Sequence, residues 1–522
     1  MHPSQRLPAE RQRCGSTMKL SDLAGLVSES KHFGRDIEVG ALVYDSRRVE
    51  PNSLFVALRG AHNDGHEYLA DVTTLGAVAV AVNADRAAWA EAQGYNGMSL
   101  PDTRLALPQV AAAFYGEPSR HLTLIGVTGT NGKTTTSFMI DSILRAWGVR
   151  TGIVGTIGAF VDGRHVPQER TTPEAPDLQK LFAEMRDQGV THVVMEVSSE
   201  GVLQERTSYC AFDYGVFTNL TQDHLNTHGT MEAYFSQKLR LFTEYPDAYP
   251  EKPFTSIVNS RDPYAQRVIE AIESTGRSAI TFGLDDPYAT VRAEIREVRS
   301  DGTQFDMYCS PSSGEEINIP MNLPIGGVFN VSNALAAASV ALQLGVPPAR
   351  IVQGLEALSG VPGRFEPIPT GDRGFHVVVD YAHTPDGLKN VLESARALNP
   401  ARLISVFGCG GDRDKPKRPL MGRISAEIAD VTVVTSDNPR TENPDAIIAG
   451  ILDGIAGGAA NPGIVVEADR REAIRRALCE LAKPGDLVVI AGKGHETVQI
   501  FADHKIHFDD REVAREALAS CG

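Results

Sequence analysis

Six consecutive residues, Gly129-Thr130-Asn131-Gly132-Lys133-Thr134, combine the types that hold a polyphosphate. Glycines let backbone N–H groups point at phosphate oxygens, and the positive end of a following helix adds to the attraction. The Lys133 ammonium would reach the β- and γ-phosphates of ATP, and the Thr134 hydroxyl would ligate Mg²⁺. The strict G-x-x-x-x-G-K-[ST] pattern is not met, because position 127 is Val and Gly126 falls one residue early. A glycine turn with an incidental lysine is the bland alternative, and the strand-like and helix-like flanks speak against it.

Three further places carry oxygen or nitrogen ligands. The apolar run 193–197 delivers Glu196 just before Ser198 and Ser199. A carboxylate at a strand end beside a phosphate loop can hold Mg²⁺, a hard ion that wants oxygen. It can equally be a carboxylate satisfied by the serine hydroxyls. The stretch 218–229 concentrates Asp223, His224 and His228, and the residues alone leave structural and ligand roles both open. Lys238, in Gln-Lys-Leu-Arg-Leu-Phe, reads by itself as a helix-surface lysine.

Toward the C-terminus, three polar loops follow three strand-like runs: Gly410-Gly411-Asp412-Arg413-Asp414-Lys415, Ser436-Asp437-Asn438-Pro439-Arg440 and Ala491-Gly492-Lys493-Gly494-His495-Glu496. Two arginines and a glutamate converging there suit a zwitterion, since Arg grips carboxylates bidentately and Glu takes an ammonium. A solvated charged rim is the alternative. Asp380-Tyr381-Ala382-His383 ends a fourth run on the same rim.

These residues need a scaffold that places them at strand ends. Residues 122–127 form an apolar run of strand length, and 134–147 puts Met139, Ile140, Ile143, Leu144 and Trp147 on one helix face. Between 18 and 120, strand-like runs at 53–58 and 77–82 mix with a helix over 103–114. After the breakers Val361-Pro362-Gly363, strands at 376–379, 403–407, 431–435, 463–466 and 487–490 alternate with helices at 385–398, 419–429 and 469–481. Such alternation means a mostly parallel sheet with both faces covered, and ligands at its carboxyl ends. The expected division is a disordered tail over 1–17, an N-terminal domain over 18–120, a central ATP-binding domain over 121–362 and a C-terminal domain over 363–522. Met18 is a candidate alternative start.

Composition narrows the class. The chain has 522 residues, 42% of them hydrophobic, and a net charge of −16, which argues against broad nucleic-acid binding. Apolar stretches such as 75–82 are far short of a membrane span, and the first seventeen residues are polar and basic, unlike a signal peptide. A cytoplasmic protein is expected. Six scattered cysteines without a CxxC pair argue against a disulfide scaffold and a thiolate zinc site.

In combination, Asp45-Ser46-Arg47, the phosphate loop, Thr171-Thr172-Pro173, Met195-Glu196-Val197-Ser198-Ser199 and Asp437-Asn438-Pro439-Arg440 resemble the Mur ligases, from about Lys19 to the C-terminus. The resemblance implies an α/β protein of three domains, with a central P-loop ATPase-like parallel sheet and a C-terminal Rossmann-like parallel sheet. It implies that Ser46 and the loop Ala61, His62 and Asn63 contact uridine diphosphate. Thr171, Thr172, Ser198, Gln204 and Arg206 would hold a UDP-linked muramyl dipeptide. Gly129 to Thr134, with Thr135, Asn330 and His383, would bind ATP. Thr134, Glu196, His224 and a carbamylated Lys238 would serve Mg²⁺, with Lys133 catalytic beside them. A carbamate is sensible there, because it replaces an ammonium that the metal would repel. Arg413, Asp437, Asn438, Pro439, Arg440, Gly492 and Glu496 would form an amino-acid pocket.

Within the family, Arg440 points to meso-diaminopimelate over L-lysine, because lysine lacks the second carboxylate and would leave the guanidinium unpaired. The implied reaction joins diaminopimelate to the D-glutamate carboxylate through an acyl phosphate. Independently of the resemblance, a monomer that binds neither membrane nor nucleic acid is expected. A lysine-adding homologue, a folylpolyglutamate-synthase-like enzyme and a catalytically dead nucleotide-binding regulator are the alternatives. The chain departs from the family pattern at Glu200, where His is usual, at Asn226-Thr227, where Asp-Tyr is usual, and at Arg170, where Asn is common.

Overall fold

A computed structural model describes residues 17–60, 63–299, 302–309, 316–358 and 360–521. Of the expected tail, residues 1–16 lie outside these, as do Ala61 and His62. Contacts group the chain into two compact units. One comprises Met1–Thr128, Val149–Val216 and Phe235–Ser256; the other comprises Gly129–Gly148, Phe217–Tyr234 and Ile257–Gly522.

In the first unit, a five-stranded sheet runs in the order Lys31–Phe33, Gly97–Leu100, Ala77–Asn83, Ser53–Val56 and Ala41–Val43. All neighbours are parallel except the first pair. Strand periodicity divides its side chains between two cores. Leu54, Val56, Ala79 and Ala81 face the helices Leu20–Leu26 and Thr103–Phe114. Phe55, Val80 and Val82 face Leu69, Val72 and Ala90 on the opposite side. The helix spans 103–114 as expected, and its start is fixed by Asp102, which accepts from the N–H groups of Arg104 and Leu105 at 2.7 and 3.1 Å.

The same unit holds the parallel trio Thr151–Gly155, His192–Glu196 and Thr123–Thr128, extended by antiparallel Gly158–Val161 and Arg164–Val166. The sheet there is therefore parallel at its centre and antiparallel at its edge. Register places Glu196 opposite Val127, at the strand end from which the phosphate loop departs.

The second unit carries the phosphate-loop helix Lys133–Ala146, packed on Val328–Gln343 and Pro348–Glu356. It also carries the strands Ala279–Leu284, Val291–Arg299, Gly302–Cys309 and Ile317–Leu323, the last three antiparallel. Its other sheet runs Glu366–Ile368, His376–Asp380, Leu487–Ala491, Leu403–Phe407, Val431–Val434 and Ile464–Val466, parallel after the first pair. Val377, Val379, Ile404, Val406, Val488 and Ile490 pack on one face; Val378, Leu403, Phe407, Leu487 and Val489 pack on the other. Parallel direction sends the loops after Asp380, Phe407, Val434 and Ala491 to one edge, which is the arrangement expected from the alternating pattern.

The described residues hold a single disulfide, not a scaffold of them: Cys479 and Cys521 are joined across 42 residues, tying the last helix, Asp510–Ser520, to the segment Ala477–Leu481, while Cys210, Cys309 and Cys409 are free. Neither cysteine has a near neighbour in sequence; the packing of these two segments brings them together.

Candidate functional site

The phosphate loop is held by the residues after strand Tyr214–Phe217. Thr130 N–H donates to Asn219 O at 2.9 Å, Asn131 N–H to Asn219 Oδ1 at 2.8 Å and Thr218 Oγ1 to Asn131 O at 2.6 Å. Contact is so close that a Cβ on Gly129 would lie 1.9 Å from Thr218 Oγ1, and Gly129 has φ 150°. Gly132, at φ 86°, lets the chain turn into the helix beside Asn333. Lys133 Nζ folds back to donate to the carbonyls of Gly129 and Thr130, at 2.9 and 2.8 Å. An ammonium at the mouth of a glycine loop on a helix N-terminus is built for a polyphosphate.

Arg364, which sequence reasoning did not select, reaches this loop from 230 positions away. Its guanidinium donates to Thr134 Oγ1 at 3.0 Å and lies 4.6 Å over the Tyr381 ring. Asp386 accepts from Asn131 Nδ2 and Thr221 Oγ1, both at 2.9 Å. The His383 ring lies 4.5 Å from Tyr381, and its Nδ1 pairs with Tyr381 O at 2.8 Å. Burial, and then the Lys417 ammonium, pushes His383 below the usual histidine range, so the ring is neutral and Nε2 is an acceptor. His495, 4.9 Å from Tyr381, is pushed down to about 3 by burial and by Arg364.

His224 is half-exposed, has φ 53° and lies 3.3 Å from the Asp223 carboxylate. Burial would raise the Asp223 carboxyl, but His224, His383 and Lys133 outweigh it and hold it below its ordinary range. Asn330 is fully buried: its Nδ2 donates to Gly326 O at 2.8 Å and its Oδ1 accepts from Asn333 at 3.0 Å. It braces the helix behind Gly132.

In the first unit, Glu196 is 1% exposed. Its carboxylate accepts from Thr156 N–H and Thr156 Oγ1, both at 2.9 Å. A Cβ on Gly155 would sit 2.3 Å from Glu196 Oε1. A buried carboxylate held by a neutral threonine fits a hard cation, which would bring a compensating charge. Thr172 Oγ1 joins Glu196 O at 2.8 Å and Ser198 Oγ at 2.9 Å, while Thr171 Oγ1 lies 3.2 Å from Thr156 Oγ1. Behind them the buried Glu174 carboxylate takes Arg206, Arg104 and Arg170 at 3.0, 2.7 and 2.9 Å. Three guanidiniums on one carboxylate leave positive charge for an anionic substrate. Arg170 is thereby placed beside Thr171. Glu200 is exposed, in the first turn of the short helix Ser199–Leu203 that Ser198 caps. Gln204 ends that helix, and Asn63 accepts from Gly60 N–H in its own loop. Ser46 opens a turn of 3-10 helix capped by Asp45.

Lys238 corrects the reading as a helix-surface lysine: it is 2% exposed, on the same stripe of helix Met231–Thr243 as Phe235, Leu241 and Phe242. The i, i+3, i+7 spacing was visible in the sequence and marks a core position. Among the described residues no group of three or more His, Cys, Asp or Glu is arranged to hold a metal ion.

The C-terminal rim assembles as its motifs suggest. Asp437, Asn438 and Pro439 are buried, and Arg440, at φ 52°, donates to Gly411 O at 2.8 Å. Burial, and then the neighbouring Arg413, lowers the Arg440 guanidinium from its usual value. Two arginines that repel each other call for an anion between them. Gly492, at φ 119°, turns the last loop so that Glu496 accepts from Asn438 Nδ2 at 2.9 Å. Two supports escaped the sequence reading: Lys493, with no exposed surface, and the fully buried Arg470–Asp510 pair at 2.7 Å. Arg470 also donates to Ser436 O and Ala491 O, at 3.3 and 2.9 Å, under both loops.

Comparison with known proteins agrees with this geometry. Residues 38–115 match the Mur ligase family, catalytic domain; 127–341 match the Mur ligase middle domain; 363–494 match the Mur ligase, glutamate ligase domain. The UDP-N-acetylmuramoyl-L-alanyl-D-glutamate–2,6-diaminopimelate ligase of Syntrophomonas wolfei subsp. wolfei is 43% identical over 507 residues, covering 96% of this chain and 99% of its own. That of Gloeobacter violaceus is 44% identical over 503 residues, covering 96% and 98%. A solved structure of a ligase with the same title superposes with a TM-score of 0.65 at 31% identity, covering 97% of this chain and 99% of that one. A Mycobacterium tuberculosis folylpolyglutamate synthase complexed with ADP and AMPPCP shares the fold at 19% identity, with a TM-score of 0.62, covering 80% of this chain and 95% of that one. The chain belongs to the Mur ligase family.

Proposed function

We propose that this chain joins meso-diaminopimelate to the D-glutamate γ-carboxylate of UDP-N-acetylmuramoyl-L-alanyl-D-glutamate, with ATP cleaved to ADP and phosphate. The observation that carries the reading is the Arg413–Arg440 pair beside Asp437, Asn438 and Glu496, in a chain whose full-length relatives bear that ligase name. Two guanidiniums match the carboxylate that lysine lacks, and Glu496 matches an ammonium.

The substrate carboxylate attacks the γ-phosphate of ATP, giving an acyl phosphate and ADP. The free amine at the L-centre of diaminopimelate then attacks the acyl carbon, phosphate leaves with the bonding pair, and the amine loses a proton. Lys133 leaves its loop carbonyls for the transferring phosphoryl oxygens, and Arg364 stands beside Thr134 to add a second cation there. The Glu174-anchored arginines and the Thr171, Thr172 and Ser198 hydroxyls orient the UDP-linked substrate, with Gln204, Ser46 and the 61–63 loop along its length. Thr134, Glu196, His224 and Lys238, the last as its carbamate, would hold Mg²⁺. When bound, the ion supplies charge neutralisation at the phosphoryl oxygens.

The reading includes an N-terminal domain over 18–120, a central domain over 121–362 and a C-terminal domain over 363–522. It makes the protein a cytoplasmic monomer of peptidoglycan precursor synthesis. Among the described residues no helix is long and apolar enough to cross a membrane.

The test is phosphate release from ATP with Mg²⁺ and the UDP-linked dipeptide, with meso-diaminopimelate, L-lysine or no amino acid. Release that depends on diaminopimelate supports the reading. Equal release with lysine makes the chain a lysine-adding homologue, and none with either sinks the assignment.

A further inference from the structure

We propose that Lys493 is the positioning residue of the amino-acid pocket, fixing Asn438 and Glu496 with its buried ammonium; this rests on the reaction proposed above. Lys493 has no exposed surface. Its Nζ donates to Asn438 Oδ1 and Glu496 Oε2, both at 3.0 Å, and lies 3.7 Å from Asp437 Oδ1. Two of the three N–H donors of the ammonium are used by these bonds, and the Asp437 carboxylate adds an ion pair at longer range.

The consequence is orientational. Asn438 Oδ1 accepts from both Lys493 and the Ile500 N–H, at 3.0 Å each, so its amide has one orientation and its Nδ2 must face Glu496. Glu496 Oε2 is thereby bonded twice, by Lys493 and Asn438, while its side chain keeps an open edge at 30% exposure. That edge is the face on which a substrate ammonium can dock. Arg470 holds the carbonyls of Ser436 and Ala491 beneath, so the loops carrying Asp437 and Lys493 share one floor.

Removing Lys493 would take one positive charge from beside Asp437 and Glu496 and let Glu496 swing away from the position that Asn438 shares.

The experiment measures initial rates of the wild type, Lys493→Met and Lys493→Arg against each substrate in turn, with thermal unfolding alongside. Lys493→Met is expected to raise KM for diaminopimelate about 100-fold, with KM for ATP within about twofold of wild type. Lys493→Arg keeps the charge but spreads its donors over a larger planar group that cannot bond Asn438 and Glu496 from one nitrogen, and is expected to raise the same KM about tenfold. Folded variants whose diaminopimelate KM is unmoved, whatever their kcat or melting temperature, overturn the inference. Should Lys493→Met fail to fold, the selective KM rise in Lys493→Arg decides. If the wild type shows no diaminopimelate-dependent turnover, the proposed reaction falls and the inference with it; if it turns over normally and only the KM split is missing, the inference alone falls.

Discussion

Asn131 and Asp386 lie 255 positions apart, yet the Asn131 side-chain amide donates to Asp386 Oδ2 at 2.9 Å. The same oxygen accepts from Thr221 at 2.9 Å and from Asn390 at 3.0 Å. One carboxylate oxygen therefore ties the phosphate loop, the loop that braces it and the N-terminus of helix Pro385–Arg396. Replacing Asp386 by Ala removes the two bonds to the nucleotide-binding loops. At about 1 kcal/mol net each, the KM for ATP should rise at least tenfold. An ATP titration of phosphate release checks it, and an unchanged KM would show that the loop holds its shape without Asp386.

Gly155 is required by its neighbour. A methyl group there would stand 2.3 Å from Glu196 Oε1 and 2.9 Å from Cδ, so Glu196 must move. Gly155→Ala should cost about 1–3 kcal/mol in stability and about 100-fold in kcat, since small displacements of a catalytic group are that costly. The Mg²⁺ concentration for half-maximal rate should also rise. A variant with wild-type magnesium dependence would remove Glu196 from the metal assignment.

Lys238 offers a spectroscopic test. A buried ammonium is expensive, and conversion to a carbamate changes its sign. Carbon-13 NMR in labelled bicarbonate should give a carbamate resonance that Lys238→Ala abolishes, with turnover falling by orders of magnitude. Normal turnover in that variant would end the assignment.

Acid should loosen the 410–415 loop in a defined window. Arg418 and the Asp412 N–H hold the Glu442 carboxyl down at about 2, below its ordinary 4.5. Because the folded value is the lower one, the stabilisation is complete above about 4.5 and is lost as pH falls toward 2. The urea midpoints of wild type and Glu442→Gln should differ by a constant amount from pH 7 to 5 and converge below pH 4. A difference that persists unchanged at pH 2.5 would contradict this.

Local pattern alone settled a good deal of this protein. Apolar runs of strand length and their breakers located strands of both parallel sheets, and helical spacing located Thr103–Phe114. Chain direction then required the loops with Arg413, Asp437 and Glu496 to share one edge, because parallel strands send all their carboxyl ends the same way. The phosphate loop needed only glycines, a lysine and a helix to follow. Residue type alone places Lys238 at the surface, whereas its helical stripe with Phe235, Leu241 and Phe242 places it in the core, and the packing follows the stripe.

What the tertiary structure decided is the partner of each polar group. Glu196 takes Thr156 across 40 positions, Arg364 takes Thr134 across 230, and Cys479 takes Cys521 across 42. Lys493 is only three residues from Glu496, yet it also bonds Asn438, 55 positions away. Local spacing fixes which face a side chain occupies; which distant group meets it there depends on how whole elements pack, and that is set by the sum of many contacts that no short stretch of sequence contains.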